Sequence, residues 1–198
     1  MGEKGFFEGN GADKKVLENE IRVNLVNYMD VYKRIEIHNN IKNLIIVTAS
    51  KQELDKYDLK RGDVLITPSS ETAEDIARVS TIDENLENTI YSYHLVRYRP
   101  FEKSFYTGFL NYLLETSDVR KQFILMAQGV QRFVIKNSDF QKTLIKTPSI
   151  DEQRNIYLLL NNIDSLITLH QRKQRKEKKG YENKKIILQI LPRLNKNI

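Results

Sequence analysis

The sequence predicts an α+β fold, with a mainly β globular part and packed helices over residues 1–147 and a long C-terminal helix over residues 148–198. Two patterns support this division. Before residue 147, short runs rich in Val, Ile, Tyr and Thr alternate with Gly, Pro, Asn and Asp, which is typical of antiparallel strands joined by turns. After Pro148, apolar residues recur at spacings of three and four, which is typical of a helix with one apolar face.

In the first half of the globular part we predict three strands and one helix. The strands are expected at Gly5–Phe7, at Ile21–Val31 with departure from the sheet at Asn27–Asp30, and within Ile35–Thr48 with Ile45, Ile46 and Val47 buried. Ser50 is expected to cap a helix over Lys51–Tyr57, because a serine hydroxyl accepts a hydrogen bond from an unpaired N–H of the first turn.

The second half is predicted to continue this pattern and to add two helices. Turns are expected at Lys60–Asp63 and Asp83–Asn88, with strands at Val64–Thr67, Ala77–Ile82, Ile90–Arg99 and Arg132–Ile135. Apolar spacing predicts a helix within Lys103–Glu115. Ser117 is expected to cap another helix, which ends near Gly129 because glycine commonly follows the last helical turn.

Within the stretch Thr147–Leu191, the long helix is predicted to follow Pro148 and Ser149 and to end at Pro192. Ser149 and Glu152 have the spacing of a capping box. An unbroken helix of this length would measure about 60 Å, more than a small domain covers, so we expect it to pair with a second helix. The alternative is a helix that breaks at Gly180 and folds back. The expected dimerisation residues are Ile156, Leu159, Leu160, Ile163, Leu166, Ile167, Ile187 and Leu191.

Composition limits the class of partner and the compartment. The chain has a net charge of +6, and no cysteine, so disulfides and thiolate metal sites are excluded. The segment Gln171–Lys179 is strongly basic, which indicates either a phosphate backbone as partner or a solvated helix face. No apolar run is long enough to span a membrane and no signal peptide is apparent, so we expect a cytoplasmic protein.

Four polar loops supply most of the candidate nucleic-acid contacts, and residues beside them and in the basic segment supply the rest. Asn, Gln and Arg side chains can read base edges, whereas Ser, Thr and Tyr hydroxyls can hold phosphates. Each loop alone could equally be an ordinary turn, strand end or helix cap. The candidates are Asn27, Tyr28, Tyr32, Lys33, Arg34, Thr67, Ser69, Ser70, Glu71, Tyr91, Tyr93, Arg97, Gln128, Gln131, Arg132, Arg172 and Lys173.

Catalytic and cofactor signals are missing from the sequence. The histidines, His38, His94 and His170, are not spaced to share a metal, and no glycine-rich strand-to-helix turn predicts a nucleotide site. Asp63, Glu71 and Glu74 flank a proline loop without a lysine at a spacing that would suit a nuclease. We therefore predict no catalytic residue, no metal site and no cofactor of its own.

Four segments resemble the DNA sequence-specificity subunit of type I restriction–modification enzymes. They are NYMDVY (Asn27–Tyr32), GDVLITPSSET (Gly62–Thr72), YSYHLVRYRP (Tyr91–Pro100) and DEQRNIYLLLNNIDSLITLHQRK (Asp151–Lys173). They occur in the order found in that family, a target recognition domain followed by a spacer helix. Family members usually carry two of each, and a segment before the first domain, so the chain is expected to be a half-length form or a truncated product.

The resemblance implies a non-catalytic protein that binds double-stranded DNA and holds partner subunits. The methylation subunits of the family use S-adenosylmethionine, and the restriction subunits use ATP and magnesium. Spacer helices of the family pack antiparallel, so the resemblance implies a homodimer with an antiparallel coiled coil that recognises a bipartite site. One alternative is an assembly or decoy protein that titrates methylation subunits without reading DNA. Another is the recognition module of a fused methyltransferase–nuclease, whose Asn-Pro-Pro-aromatic motif is absent here.

Overall fold

A computed structural model describes residues 1–9, 11–33, 37 and 42–178, and the backbone alone of residues 179–194. It divides into two compact units, Met1–Asn155 and Ile156–Ile198. The first unit contains β-sheets with packed helices and the second consists of the continuation of one long helix, so the α+β class predicted from the sequence is confirmed. No helix in the described part of the chain has the length and apolarity that crossing a bilayer requires.

The first sheet is entirely antiparallel and has the strand order β1-β9-β5-β7. Its strands are β1 (Gly5–Glu8), β5 (Val64–Ile66), β7 (Val79–Thr81) and β9 (Val96–Pro100). The second sheet has the order β3-β2-β8-β4, with β2 and β8 parallel and the other pairs antiparallel. Its strands are β2 (Ile21–Val26), β3 (Ile45–Ala49), β4 (Asp58–Leu59) and β8 (Leu86–Tyr91). A separate ladder pairs β6 (Ser69–Ser70) with β10 (Phe133–Val134).

The described residues form six α-helices. They are α1 (Tyr28–Tyr32), α2 (Lys51–Tyr57), α3 (Phe109–Leu113), α4 (Ser117–Met126), α5 (Asn137–Lys142) and α6 (Ile150–Leu194). The capping box predicted for α2 is present, since the Ser50 side chain accepts the Glu53 N–H and the Glu53 carboxylate accepts the Ser50 N–H. At the start of α6 the Ser149 hydroxyl accepts the Glu152 N–H, as the sequence predicted.

Strand β5 lies at the centre of the packing and is buried on both faces. Val64 and Ile66 belong to the core that includes residues of α3, α4 and α5, whereas Leu65 belongs to the core shared with the second sheet. This alternation follows from the twofold side-chain period of a strand. A third core lies beneath α2 on the second sheet, where Val23, Leu25 and other strand residues pack near Tyr57.

Buried ion pairs join the two sheets. Arg97 and Arg99 of β9 both donate to Asp58 of β4, and the second Arg97 nitrogen pairs with Glu8 of β1. Arg99 holds Asp63 through two bonds of 2.7 Å. These bonds raise the pKa of the Arg99 guanidinium. Burial acts to raise the pKa of Asp58, but the bonds and charges of Lys60 and Arg99 outweigh it and lower that pKa.

Two predicted strands were wrong in their limits. The strand expected over Ile90–Arg99 is two strands of different sheets, because the chain turns at Ser92–Leu95, where the Leu95 N–H donates to the Ser92 carbonyl. Both halves have the same β-rich composition, so the sequence pattern does not indicate that the chain passes from one sheet to the other. The strand expected over Ile21–Val31 ends at Val26, since Asn27 caps helix α1.

Several helix, turn and burial predictions also need correction. The helix expected within Lys103–Glu115 is confined to Phe109–Leu113, and the residue that precedes α4 as its cap is Thr116, not Ser117. Part of the turn expected over Asp83–Asn88 is strand, because β8 begins at Leu86. The long helix continues past Gly180 and Pro192 to Leu194.

On β3, the burial predicted for Val47 is confirmed, whereas Ile45 and Ile46 are 45% and 58% exposed. They lie at the start of β3, which is at one end of the strand order of the second sheet.

The buried ion pairs make a prediction about stability. Replacing Asp63 with alanine should lower the free energy of unfolding by about 2–3 kcal/mol, because the partly buried Arg99 loses a charged partner that accepts two hydrogen bonds. Urea denaturation measures this. The control is Lys142→Ala, which removes an exposed pair with Asp139 and should cost less than about 1 kcal/mol. Equal effects of the two substitutions would contradict the importance assigned to the buried network.

Candidate nucleic-acid interface

Helix α1 presents two stacked tyrosines. Asn27 begins the helix by accepting the Tyr28 N–H on its side-chain oxygen at 2.9 Å, and its own N–H donates to Asp30. The rings of Tyr28 and Tyr32 lie 5.7 Å apart and nearly parallel. The Tyr28 hydroxyl donates to the Ser69 carbonyl at 2.8 Å, and burial raises the pKa of Tyr28. Helix α1 is therefore fixed against β6.

Strand β6 is in turn fixed by the hairpin that contains β10. The Gln128 and Val134 backbones exchange two hydrogen bonds, of 3.0 and 2.9 Å, and so close the loop between them. Gly129 has a φ of 139°, and a Cβ at this position would lie 2.0 Å from the Arg132 carbonyl oxygen. Only glycine fits this turn, because a side chain would collide with the returning backbone.

The hairpin places Arg132 over β6. One terminal guanidinium nitrogen of Arg132 donates to the Ser69 hydroxyl at 3.0 Å. An arginine has five N–H donors, so a single bond to serine orients the group without exhausting its capacity to bind a ligand. Gln131 and Arg132 are both exposed. The arrangement gives a surface cation with a defined position.

A second segment brings an imidazole and a lysine to the same surface. The Ala12 backbone bridges Tyr91 and Tyr93 through bonds of 2.9 and 3.1 Å, which places Lys14 near the Tyr93–His94 turn. The Tyr93 and His94 rings are 3.8 Å apart. Partial burial, followed by the charges of Arg132 and Lys14, lowers the pKa of His94. His94 therefore lies within electrostatic range of both cations.

We name this region the Arg132 surface. It combines stacked aromatic rings, hydroxyl groups, an imidazole and two cations, and the part of the chain that the structure describes has no cluster of residues that could hold a metal. Such a set can bind phosphates and read base edges, because it offers mainly hydrogen-bond donors and aromatic faces. Its members are Lys14, Tyr28, Tyr32, Ser69, Tyr93, His94, Gln131 and Arg132.

Three predicted contact residues lie inside the protein instead. Arg97 is only 2% exposed and is committed to its two carboxylate partners. Tyr91 is fully buried with its hydroxyl donating to the Glu8 carbonyl, and Thr67 is buried with its hydroxyl accepting the Arg78 N–H. None of the three presents a polar group to a ligand in this structure. Their polar groups form hydrogen bonds between elements inside the protein. Sequence composition cannot distinguish such residues from polar residues on the surface.

The remaining candidates have varied positions. The Ser70 hydroxyl is buried and donates to the Thr72 carbonyl, whereas Glu71, Gln128 and Lys33 are exposed. Arg34 and His38 lie outside the described residues. In the second unit, Arg172 and Lys173 are exposed on α6.

The predicted dimerisation residues of the second unit form an accessible apolar stripe on α6. Leu159 and Leu166 are 62% and 66% exposed, and Ile163 and Ile167 are also exposed. Ile156 and Leu160 are half-buried. Ile187 and Leu191 lie on the helix, but their side chains are outside the described residues.

Sequence reasoning missed three residues beside the candidate site. Lys14 lies far from the polar loops in sequence. His94 and Val130 belong to the third and fourth polar loops, but neither was predicted as a contact residue. The glycine at position 129, which favours a tight turn, was the available signal for the exposed position of Val130.

Comparison with known proteins identifies a family. The family model described as type I restriction modification DNA specificity domain matches residues 5–178. The search of curated proteins gave no match. The HsdS subunit from Thermoanaerobacter tengcongensis shares the fold, with a TM-score of 0.52, 17% identity and coverage of 87% of this chain and 38% of that one.

A chain from a structure of a type I restriction–modification system, solved to explain complex assembly and conformational transition, gives a TM-score of 0.59. It shares 18% identity, with coverage of 89% of this chain and 40% of that chain. The present chain thus spans about two fifths of the length of these structures.

The electrostatic coupling within the Arg132 surface can be tested by titration. Arg132→Ala should raise the pKa of His94, because it removes a neighbouring positive charge that favours the neutral ring. At a pH near the usual histidine value, the variant will therefore carry more charged His94 than the unmodified protein. NMR titration of the His94 ring protons measures the change, and Arg61→Ala is the control of equal charge. An unaltered His94 titration in Arg132→Ala would show that the two groups are not coupled.

Proposed function

Because the chain belongs to the family of type I restriction modification DNA specificity domains, we propose that the unit Met1–Asn155 recognises a specific DNA sequence through the Arg132 surface. The observation that carries the proposal is the convergence of Tyr28, Ser69 and Arg132 from three separate segments. Together with Lys14 they form a cationic, donor-rich region within the stretch that the family model covers. DNA, which carries phosphates and base-edge acceptors, is the ligand that this chemistry suits.

The contacts divide by chemistry. Arg132 and Gln131, exposed beside the hairpin tip, are proposed to contact base edges, because arginine and glutamine pair with guanine and adenine through two hydrogen bonds. Lys14 is proposed to contact phosphate, as are the more exposed polar candidates Lys33 and Gln128. Ser69 orients Arg132, whereas the buried residues Thr67, Tyr91 and Arg97 are not proposed as contacts. The separate basic segment of α6, with Arg172 and Lys173, is proposed to contact the DNA backbone.

We further propose that recognition is the whole contribution of this chain to the chemistry of the system. In this role the chain directs methylation and restriction subunits to a bipartite target, and those partners supply S-adenosylmethionine, ATP and magnesium chemistry. The absence of a metal-binding cluster among the described residues is compatible with this role. A DNA partner also suits the cytoplasmic location expected from the sequence. Methyl transfer or DNA cleavage by the purified chain alone would contradict a non-catalytic role.

The C-terminal helix is proposed to join two copies of the chain. We place the functional boundary near residue 147, with residues 1–147 for recognition and 148–198 for pairing. The stripe through Leu159, Ile163 and Leu166 is exposed, and burying one such side chain contributes about 1.5–3 kcal/mol. A twofold antiparallel coiled coil would bury it and hold two recognition units on a bipartite, palindromic target, since twofold symmetry is the commonest for homodimers.

Sequence-specific recognition makes a prediction about two kinds of contact. Arg132→Ala should weaken binding to the preferred duplex by about 1–3 kcal/mol and relax its sequence preference. Lys173→Ala should weaken binding to all duplexes alike and reduce the salt dependence, because it removes a phosphate contact. The target is first enriched from random duplexes, with and without a methylation subunit, and affinities are then measured at several salt concentrations.

The control for Arg132→Ala is Arg61→Ala, an exposed arginine at the opposite end of β5. It alters the net charge equally but should leave the sequence preference intact. A chain that assembles with the methylation subunit, yet enriches no sequence, would favour the decoy role instead.

Pairing through α6 makes a separate prediction. Leu159→Asp combined with Ile163→Asp should convert the dimer to a monomer, because two charges would enter the apolar contact between helices. Light scattering at micromolar concentration measures the mass of each form. Asn162→Asp, a charge change at another exposed position of the same helix, should leave the dimer intact. A monomeric unmodified chain would reject this arrangement, as would an asymmetric target recognised by this chain alone.

A further inference from the structure

The hairpin beside Arg132 has an apolar residue at its most accessible position. Val130 is 93% exposed, although valine is among the residues most often found inside proteins. A single exposed apolar side chain has no significance by itself. Val130 differs because the turn that displays it requires a glycine. Gly129 adopts a backbone conformation that residues with a side chain rarely adopt, and a Cβ at this position would collide with the Arg132 carbonyl.

Hydrogen bonds hold the base of the hairpin in place, whereas its tip projects beyond them. Two backbone bonds join Gln128 to Val134, and β10 pairs with β6 at Phe133–Ser70 and Val134–Ser69. The Ile135 N–H then donates to the Pro68 carbonyl at 2.9 Å. Residues 130–132 project from this ladder, and all three are exposed. The position of Val130 is therefore determined by neighbours that do not cover it.

We infer that Val130 is a specificity-determining residue that contacts the 5-methyl group of a thymine in the major groove. The inference rests on the proposed DNA recognition, and it names one residue of the protein and the base that this residue contacts. A two-stranded β-ribbon fits the major groove, and the thymine methyl is the only apolar group that the base edges present there. Gln131 and Arg132, the next residues along the chain, have the side chains that read adenine and guanine in the same groove.

The size of the side chain favours this role over insertion between bases. Proteins that kink DNA from the minor groove use large wedges such as Phe, Leu, Ile, Met or Pro. Valine is shorter and stiff about its first side-chain torsion, so it offers two fixed methyl groups near the backbone. Such a group suits contact with a methyl on the groove wall and is poorly suited to separating stacked bases.

The test uses the full chain and the duplex that it enriches from a random pool. Each thymine of that duplex is replaced in turn by deoxyuridine, which removes only the 5-methyl group. At one position this replacement should weaken binding about fourfold, because the burial of one methylene-sized group strengthens binding by about that factor. Val130→Thr, which retains one methyl, should preserve much of this difference. Val130→Ser, which differs from it by that methyl alone, should abolish the difference.

The control variant is Leu144→Ala, since Leu144 is also highly exposed but belongs to the segment paired with Gln122 of α4. The ratio of its affinities for the thymine and deoxyuridine duplexes should equal that of the unmodified protein. An affinity difference between the thymine and deoxyuridine duplexes that persists in Val130→Ser would overturn the inference. A target in which no thymine replacement affects binding would also overturn it. Failure to enrich any sequence would instead contradict the proposed function itself.

Discussion

The pairing of Arg97 and Arg99 with Asp58 and Asp63 is the interaction on which the recognition unit depends. These four residues connect β9 of the first sheet with β4 of the second and with the turn that leads into β5. Apolar packing between the sheets is non-directional and permits small displacements. The ion pairs restrict them, because removing either partner from a buried pair leaves an uncompensated charge. The sheets therefore have one favoured arrangement.

That arrangement determines where the two ends of β5 lie. Its first residue follows the turn that contains Asp63, and its last residue leads through Thr67 into β6. The charged network fixes the first end, while Tyr28 and Arg132 meet at Ser69 beyond the other. Structural arginines thus lie near one end of this short, buried strand, and a surface arginine lies near the other.

The side chains at the tip of the Arg132 surface can vary without loss of the fold. Its backbone positions depend on Gly129, on the closing bonds of the hairpin and on the β6–β10 ladder. The side chains that project from it at Val130, Gln131 and Arg132 contribute little to the core. Substitutions at these tip positions can therefore change the chemistry of the surface while the supporting strands and the capped helix α1 remain unchanged.

The sequence by itself determined the fold class, the capped helix α2, the start of α6 and the family resemblance. These features depend on local patterns: a serine and a glutamate at the spacing of a capping box, or apolar residues at helical spacing. Tertiary structure alone decided which polar residues are accessible. Arg97 and Arg132 are the same residue type in similar β-rich contexts, yet carboxylates from β1 and β4 enclose the first, whereas the hairpin exposes the second. Burial depends on partners distant in sequence, so the pattern around either arginine could not reveal which one is exposed.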